Sequence, residues 1–98
     1  MTELIVALDL DSLHEEEELL LKLKDTVRFY KVGLRLFTAH GKRAVDLVRR
    51  HGGEVFLDLK LHDIPQTVQH AVTEVRKLGV HSLSLHLSGG AAMLEAAA

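Results

Sequence analysis

Residues 55–67 read V-F-L-D-L-K-L-H-D-I-P-Q-T. The run begins as an apolar strand, carries Asp58, Lys60 and Asp63 at its end, and turns at Pro65 into a helix. Strand side chains alternate faces, so Phe56, Asp58 and Lys60 are expected on one face and Leu57 and Leu59 on the other. Two opposite charges on one face of an apolar strand are costly unless paired. Gathered at the C-terminal end of a strand that feeds a helix, they point to a site. A lone D-x-K serves equally well as a structural ion pair. The third charge of D-x-K-x-x-D and the I-P-x-T that follows tip the reading towards chemistry.

The same β-α unit repeats on either side of this stretch. L-I-V-A-L-D (4–9) is an apolar strand ending in Asp9, apolar on both faces as a parallel strand covered by helices would be. Residues 1–8 as a whole look strand-like, with an acidic Glu3 and no basic leader, so no signal peptide is expected. Ser12 and Glu15 form a capping box that predicts a helix from about residue 13, with Leu13, Leu19, Leu20 and Leu23 as its apolar face. Glu15 to Glu18 sit in its first turns, where the helix dipole favours negative charge, and are read with His14 as a solvated face. The second strand is 27–33, with Val27, Phe29 and Lys31 on one face and Arg28 and Tyr30 on the other. A helical stretch follows, clearest over 42–50, and Gly52 and Gly53 stop it. After the motif, Asp63 is expected to cap a third helix with Pro65 in its first turn. Ile64, Val68, Ala71, Val72, Val75 and Leu78 form the inward stripe of that helix, and Gly79 ends it. The fourth strand, 82–86, puts Ser82, Ser84 and His86 on one face, and S-G-G leads from it into a short Ala-rich helix.

Asp9, Lys31, Asp58 and His86 therefore stand near the ends of four successive strands, 22, 27 and 28 residues apart. In a (β/α)8 barrel this spacing places all four at one rim, where such folds keep their chemistry. The closed fold repeats the unit eight times over roughly 200 residues or more, so residues 1–98 make about the first half of a single barrel domain. Half a barrel has two bare sheet edges and one helix-free flank, and is not expected to be a stable monomer.

Composition sets outer limits. The chain has 98 residues, 47% of them hydrophobic, which suffices for one small globular core. A net charge of −2 without a basic stripe argues against nucleic-acid or membrane-surface binding. There is no cysteine, hence no disulfide framework and no thiolate chemistry. The apolar runs are far shorter than a membrane span, and the cytoplasm is the expected compartment. His40, His51, His62, His70 and His81 show no metal-ligand spacing and are read as surface or helix-end residues.

Taken together, A-L-D (7–9), Y-K-V-G (30–33), D-L-K-L-H-D-I-P-Q-T-V (58–68) and L-H-L-S-G-G (85–90) carry a resemblance. The chain resembles, along its whole length, the N-terminal half of the orotidine 5′-monophosphate decarboxylases, closest to their bacterial branch. D-x-K-x-x-D-I-P-x-T is the specific signature, whereas the looser D-x-K-x-x-D is shared with phosphosugar enzymes of the same superfamily. Gln66 in place of the expected Asn and Leu87 in place of a smaller residue are mild departures.

The resemblance implies removal of CO2 from orotidine monophosphate to give UMP, in pyrimidine biosynthesis, with no metal or organic cofactor. It makes Lys60 the proton donor to C6 of the pyrimidine and Asp58 the carboxylate beside that of the substrate. Asp63 would reach across a homodimer interface to complete the Lys-Asp array, and Lys31 would be its remaining lysine and a ribose contact. Asp9 would bind the ribose, Ile64 and Thr67 would contribute to the neighbouring subunit's pocket, and His86 would play a supporting part. The charges suit the reaction. Decarboxylation builds negative charge on a ring carbon, where a preorganised ammonium stabilises the transition state and also supplies a proton.

Two alternatives stay open in the sequence. One is an Mg2+-dependent phosphosugar decarboxylase or synthase built on the same D-x-K-x-x-D, against which I-P-x-T argues. The other is an inactive half barrel, a fragment or assembly unit. In the family, the phosphate and pyrimidine contacts come from later loops, outside these 98 residues.

Overall fold

The computed structural model describes residues 3–98, apart from the side chain of Leu87. The strand-like reading of residues 1–8 thus lies outside the described residues at its first two positions. Four strands, β1 (Ile5–Ala7), β2 (Phe29–Gly33), β3 (Glu54–Leu61) and β4 (Ser82–Leu85), form one sheet in the order β1-β2-β3-β4. All three pairings are parallel. The helices are α1 (Leu13–Leu23), α2 (Leu34–His40), α3 (Lys42–Arg50), α4 (Pro65–Arg76) and α5 (Ala91–Ala97), with a 3-10 turn at Leu87–Gly89. The architecture is half of a β/α barrel, as the repeat predicts.

The core lies between the sheet and its helices. Tyr30, Val32, Val55 and Leu57 from the strands, with Leu8 just after β1, pack with Leu20, Leu36, Val45 and Val48 from α1, α2 and α3. Tyr30 turns its ring into this layer, and its hydroxyl donates to the Val27 carbonyl at 2.9 Å, so the polar end of a buried ring is satisfied. Tyr30 and Val32 thus bring one face of β2 fully into the core. Arg28 lies before β2 and stacks its guanidinium over the Phe29 ring, 5.1 Å from the centroid.

Register sorts the remaining strand residues onto the opposite face. Ala7 pairs with Lys31, Lys31 with Phe56, Phe56 with Ser82, and Gly33 with Asp58. Among the described residues this face carries no helix, and β1 shows the consequence. Leu8 is buried, but Ile5 is 54% exposed. The expectation that the first strand is covered on both sides is thus corrected: helices cover one side only.

Other differences have local causes. The segment after β2 is two helices, because Gly41, at φ +56°, takes the chain out of helical geometry between His40 and Lys42. Gly53 follows α3 where a Cβ would meet Val48 Cγ1 at 2.8 Å and Tyr30 Cδ2 at 2.9 Å, so close helix–strand packing requires it. Ser12 caps α1 as expected, accepting from the Glu15 amide at 3.1 Å. Asp63 does not cap α4. The N-cap is Ile64, which has no side-chain cap, and the Asp63 carboxylate accepts the Ile64 amide at 2.7 Å. Ile64 is also not part of the inward stripe, being 64% exposed. Val68 and Val75 are the buried positions of α4, and Pro65 opens it.

The acidic run of α1 is not uniformly solvated. Glu16 is completely buried, and neither carboxylate oxygen has a hydrogen-bond partner among the described residues. Burial raises its pKa to about 8, from an ordinary value of 4.5. The period of α1 explains this, since Glu16 lies one turn before buried Leu20 and shares its face. Between pH 4.5 and about 8 the unfolded chain releases this proton while the folded chain keeps it, so this group's contribution to stability falls as pH rises through that window. Glu16→Gln removes the titration. Thermal melts are expected to show the variant more stable than the parent at pH 8, by about 1–3 kcal/mol, and nearly equal to it at pH 4. A stability difference that does not change with pH would contradict a buried, titrating Glu16.

Candidate active site

Strand β3 runs straight through Asp58 and then departs from regular pairing. The β3–β4 register shifts between Leu57 and Leu61, and Lys60 sits in the left-handed region at φ +50°, the one non-glycine residue there among the described residues. A side chain in that region costs on the order of 1–3 kcal/mol and persists where neighbours hold it. Here Ser84 of β4 does so, its Oγ accepting the Lys60 amide at 2.8 Å. The bulge breaks strict alternation, yet it returns the Lys60 ammonium to the Asp58 side of the sheet.

Asp58 is the centre of the cluster. Lys60 Nζ donates to both of its oxygens, at 2.9 and 3.0 Å. Ser84 Oγ donates to Oδ1 at 2.7 Å, and Lys31 Nζ of β2 stands 3.7 Å from Oδ2. The Asp58 side chain is 14% exposed, against 35% for Lys31 and 63% for Lys60. The carboxylate is thus sunk in the sheet and the ammonium groups stand above it. The Ser84 hydrogen bond, then that of Lys60, and the charges of Lys60 and Lys31 together hold the Asp58 carboxyl below its ordinary pKa, against the opposing effect of burial. A carboxylate fixed between two ammonium groups in this way forms a preorganised charge array, able to steady negative charge and deliver a proton above it.

The other residues singled out in the sequence take separate places. Asp9 is exposed just beyond β1, and its charge bears on Arg35 of α2. Asp63, Ile64 and Thr67 are exposed at the start of α4. Within one chain Asp63 stands apart from the ion pairs of Asp58, its carboxylate turned to the Ile64 amide. It lines a shallow hollow with His62, Ile64, Pro65 and Gly89. His62 and His86 are both exposed but not isolated. Their rings stack with centroids 4.9 Å apart and planes 19° apart, joining the loops that follow β3 and β4. A larger hollow, lined by Leu13, Glu17, Arg43, Asp46 and Arg50 among others, lies between α1 and α3 and touches none of these charges.

Two features escaped the sequence reading. Ser84 lies on the expected face, but nothing in S-L-S-L-H announces a hydroxyl bound to Asp58. Asp11 and Arg35 form a bidentate pair at 2.6 and 2.7 Å, and the Asp11 carbonyl lies 2.9 Å from His40 Nε2. Together they tie the loop bearing Asp9 to α2. A pair 24 residues apart, one member on a loop and the other on α2, carries no local signal.

The family model described as "Orotidine 5'-phosphate decarboxylase / HUMPS family" matches residues 2–98. The orotidine 5'-phosphate decarboxylases of Pelobacter propionicus and Syntrophotalea carbinolica are 50% and 49% identical to the chain over 96 residues, 98% of its length, which correspond to 40% and 39% of those proteins. The chain thus spans about two fifths of the curated relatives it matches. Among solved structures, the orotidine 5'-phosphate decarboxylase of Lactobacillus acidophilus superposes over 99% of the chain and 44% of its own, with TM-score 0.88 and 38% identity. The orotidine 5'-monophosphate decarboxylase of Methanocaldococcus jannaschii, complexed with the inhibitor BMP, gives TM-score 0.91 at 26% identity over 99% of the chain and 45% of its own. On a family match that covers nearly every residue, the chain belongs to the orotidine 5'-phosphate decarboxylase / HUMPS family.

Proposed function

We propose that the chain is the N-terminal half of a single barrel domain whose activity is the decarboxylation of orotidine 5′-monophosphate to UMP, in pyrimidine biosynthesis. The observation that carries this is the Asp58–Lys60–Lys31 array at the strand ends, in a chain whose relatives bear that activity in their names. In this reading Lys60 delivers the proton to C6 as CO2 departs. Its ammonium already stands on the exposed side of the cluster, paired with Asp58. Lys31 adds a second positive charge beside the developing carbanion, and Asp58 keeps both ammonium groups oriented. Its own charge would lie next to the substrate carboxylate, so that pair is relieved as the carboxylate leaves.

Asp63 takes part from the other subunit of a homodimer. What supports this is its position, exposed at the head of α4 beside exposed Ile64 and Thr67, outside the ion pairs of its own chain. Asp9 binds the ribose, and Ile64 and Thr67 close the partner's pocket. The reaction runs without cofactor, in the cytoplasm. The phosphate and pyrimidine grips belong to the second half of the barrel, so the 98 residues alone are nearly inactive, because remote binding energy supports kcat as well as KM.

Assay of the complete barrel protein with orotidine 5′-monophosphate is expected to show turnover that survives EDTA. Lys60→Ala should lower kcat by about a thousandfold or more, since it removes charge stabilisation and the proton source together. Loss of activity with EDTA, restored by Mg2+, would favour the phosphosugar-type alternative instead.

A shared site makes a second prediction. Lys60→Ala and Asp63→Ala proteins, each inactive, should recover about a quarter of parental activity when mixed and allowed to exchange subunits. Half of the dimers would then be mixed, and each mixed dimer holds one intact site. Mixed dimers without activity would contradict a site built across the interface.

A further inference from the structure

We infer that Ser84 is a positioning residue for Lys60: its hydroxyl clamps the strained Lys60 backbone to the Asp58 carboxylate and thereby sets where the ammonium stands. Every bond the argument needs is present. The single hydroxyl proton goes to Asp58 Oδ1 at 2.7 Å, and a lone pair on the same oxygen receives the Lys60 amide at 2.8 Å. Ser84 lies on β4 and its two partners on β3, 26 and 24 residues earlier, so the clamp ties adjacent strands where their regular ladder fails. The backbone at Lys60 is in a region that non-glycine residues avoid, at φ +50°. Loss of the ladder would leave its amide without a strand partner, and Ser84 supplies one.

The consequence for the ammonium is geometric. Lys60 and Asp58 are two residues apart, and in a regular strand their side chains would stand parallel. The bulge reorients the Lys60 Cα so that Nζ meets both oxygens of the carboxylate. A relaxed backbone, with Ser84 absent, would move the root of a long, flexible side chain while leaving its tip free to wander. The carboxylate would lose a donor at the same time. Ser84 thus acts through Lys60 and Asp58 and has no need to touch substrate.

The kinetic part of this inference rests on the decarboxylase reading, and the structural part does not. In the complete barrel protein, Ser84→Ala is expected to lose about tenfold or more of the hydrogen-exchange protection of the Lys60 amide, with Val55 and Leu57 amides unchanged as the internal control. Its kcat for orotidine 5′-monophosphate should fall about tenfold or more while KM moves less than about threefold. Ser84→Thr keeps the hydroxyl and should retain both protection and kcat. Unaltered Lys60 protection in Ser84→Ala would overturn the inference. So would an equal loss of kcat in Ser84→Thr and Ser84→Ala. If the parent protein turns over no orotidine 5′-monophosphate but the protection pattern is as described, the decarboxylase reading fails and the clamp stands.

Discussion

A carboxylate set into the face of a parallel sheet must be given partners, and the arrangement around Asp58 is what that requirement produces. Its side chain is 14% exposed, and water can solvate little of it. Two ammonium groups and a hydroxyl replace that water, drawn from three neighbouring strands. Parallel pairing makes this possible, because it brings equivalent ends of successive β-α units side by side. Lys31 arrives from β2 and Ser84 from β4, with Asp58 and Lys60 between them on β3. The charge array is thus a property of the sheet's register, and a one-residue slip in any strand would turn its contribution into the apolar core.

The two faces of the sheet divide the work. The helix side holds the aliphatic cluster around Val32, Val45, Val55 and Leu57, and supplies the burial that keeps the fold together. The other side carries Lys31, Asp58 and Ser84 with Phe56 among them, half-buried and without a helical layer. In a closed barrel this side faces inward, and its charges add little to cohesion. Strain follows the same division. The left-handed backbone among non-glycine residues falls at Lys60, beside the charges, while the aliphatic side has none among the described residues.

Much of this was legible in the residues. The spacing of Asp9, Lys31, Asp58 and His86 carried the repeat, the parallel sheet and the common rim, because hydrophobic period and charge position agree in every unit. D-x-K-x-x-D brought Asp58 and Lys60 together without a structure, since both belong to one strand. What stayed hidden depended on three dimensions. Ser84 looks like any strand serine until β4 is registered against the bulge. Glu16 sits in a run of four glutamates that composition alone assigns to solvent, and only the packing of α1 reveals which one turns inward. Asp63 precedes a proline-led helix, the usual place for a cap, but Ile64 takes the capping position and leaves the carboxylate at the surface. For Ser84 and Glu16 a tertiary contact decides the outcome, whereas for Asp63 it is the adjacent Ile64 amide that takes the carboxylate.

Asp58 is the anionic anchor of two lysines, its carboxyl held below the ordinary pKa by hydrogen bonds from Ser84 and Lys60 against the opposing effect of burial. Carbon-detected NMR titration of the Asp58 carboxyl group in the complete protein measures this directly. The predicted midpoint lies below the ordinary aspartate value of 3.8. A midpoint at or above that value would mean that burial prevails, that Asp58 gives up its charge readily, and that the array does not hold its lysines as described.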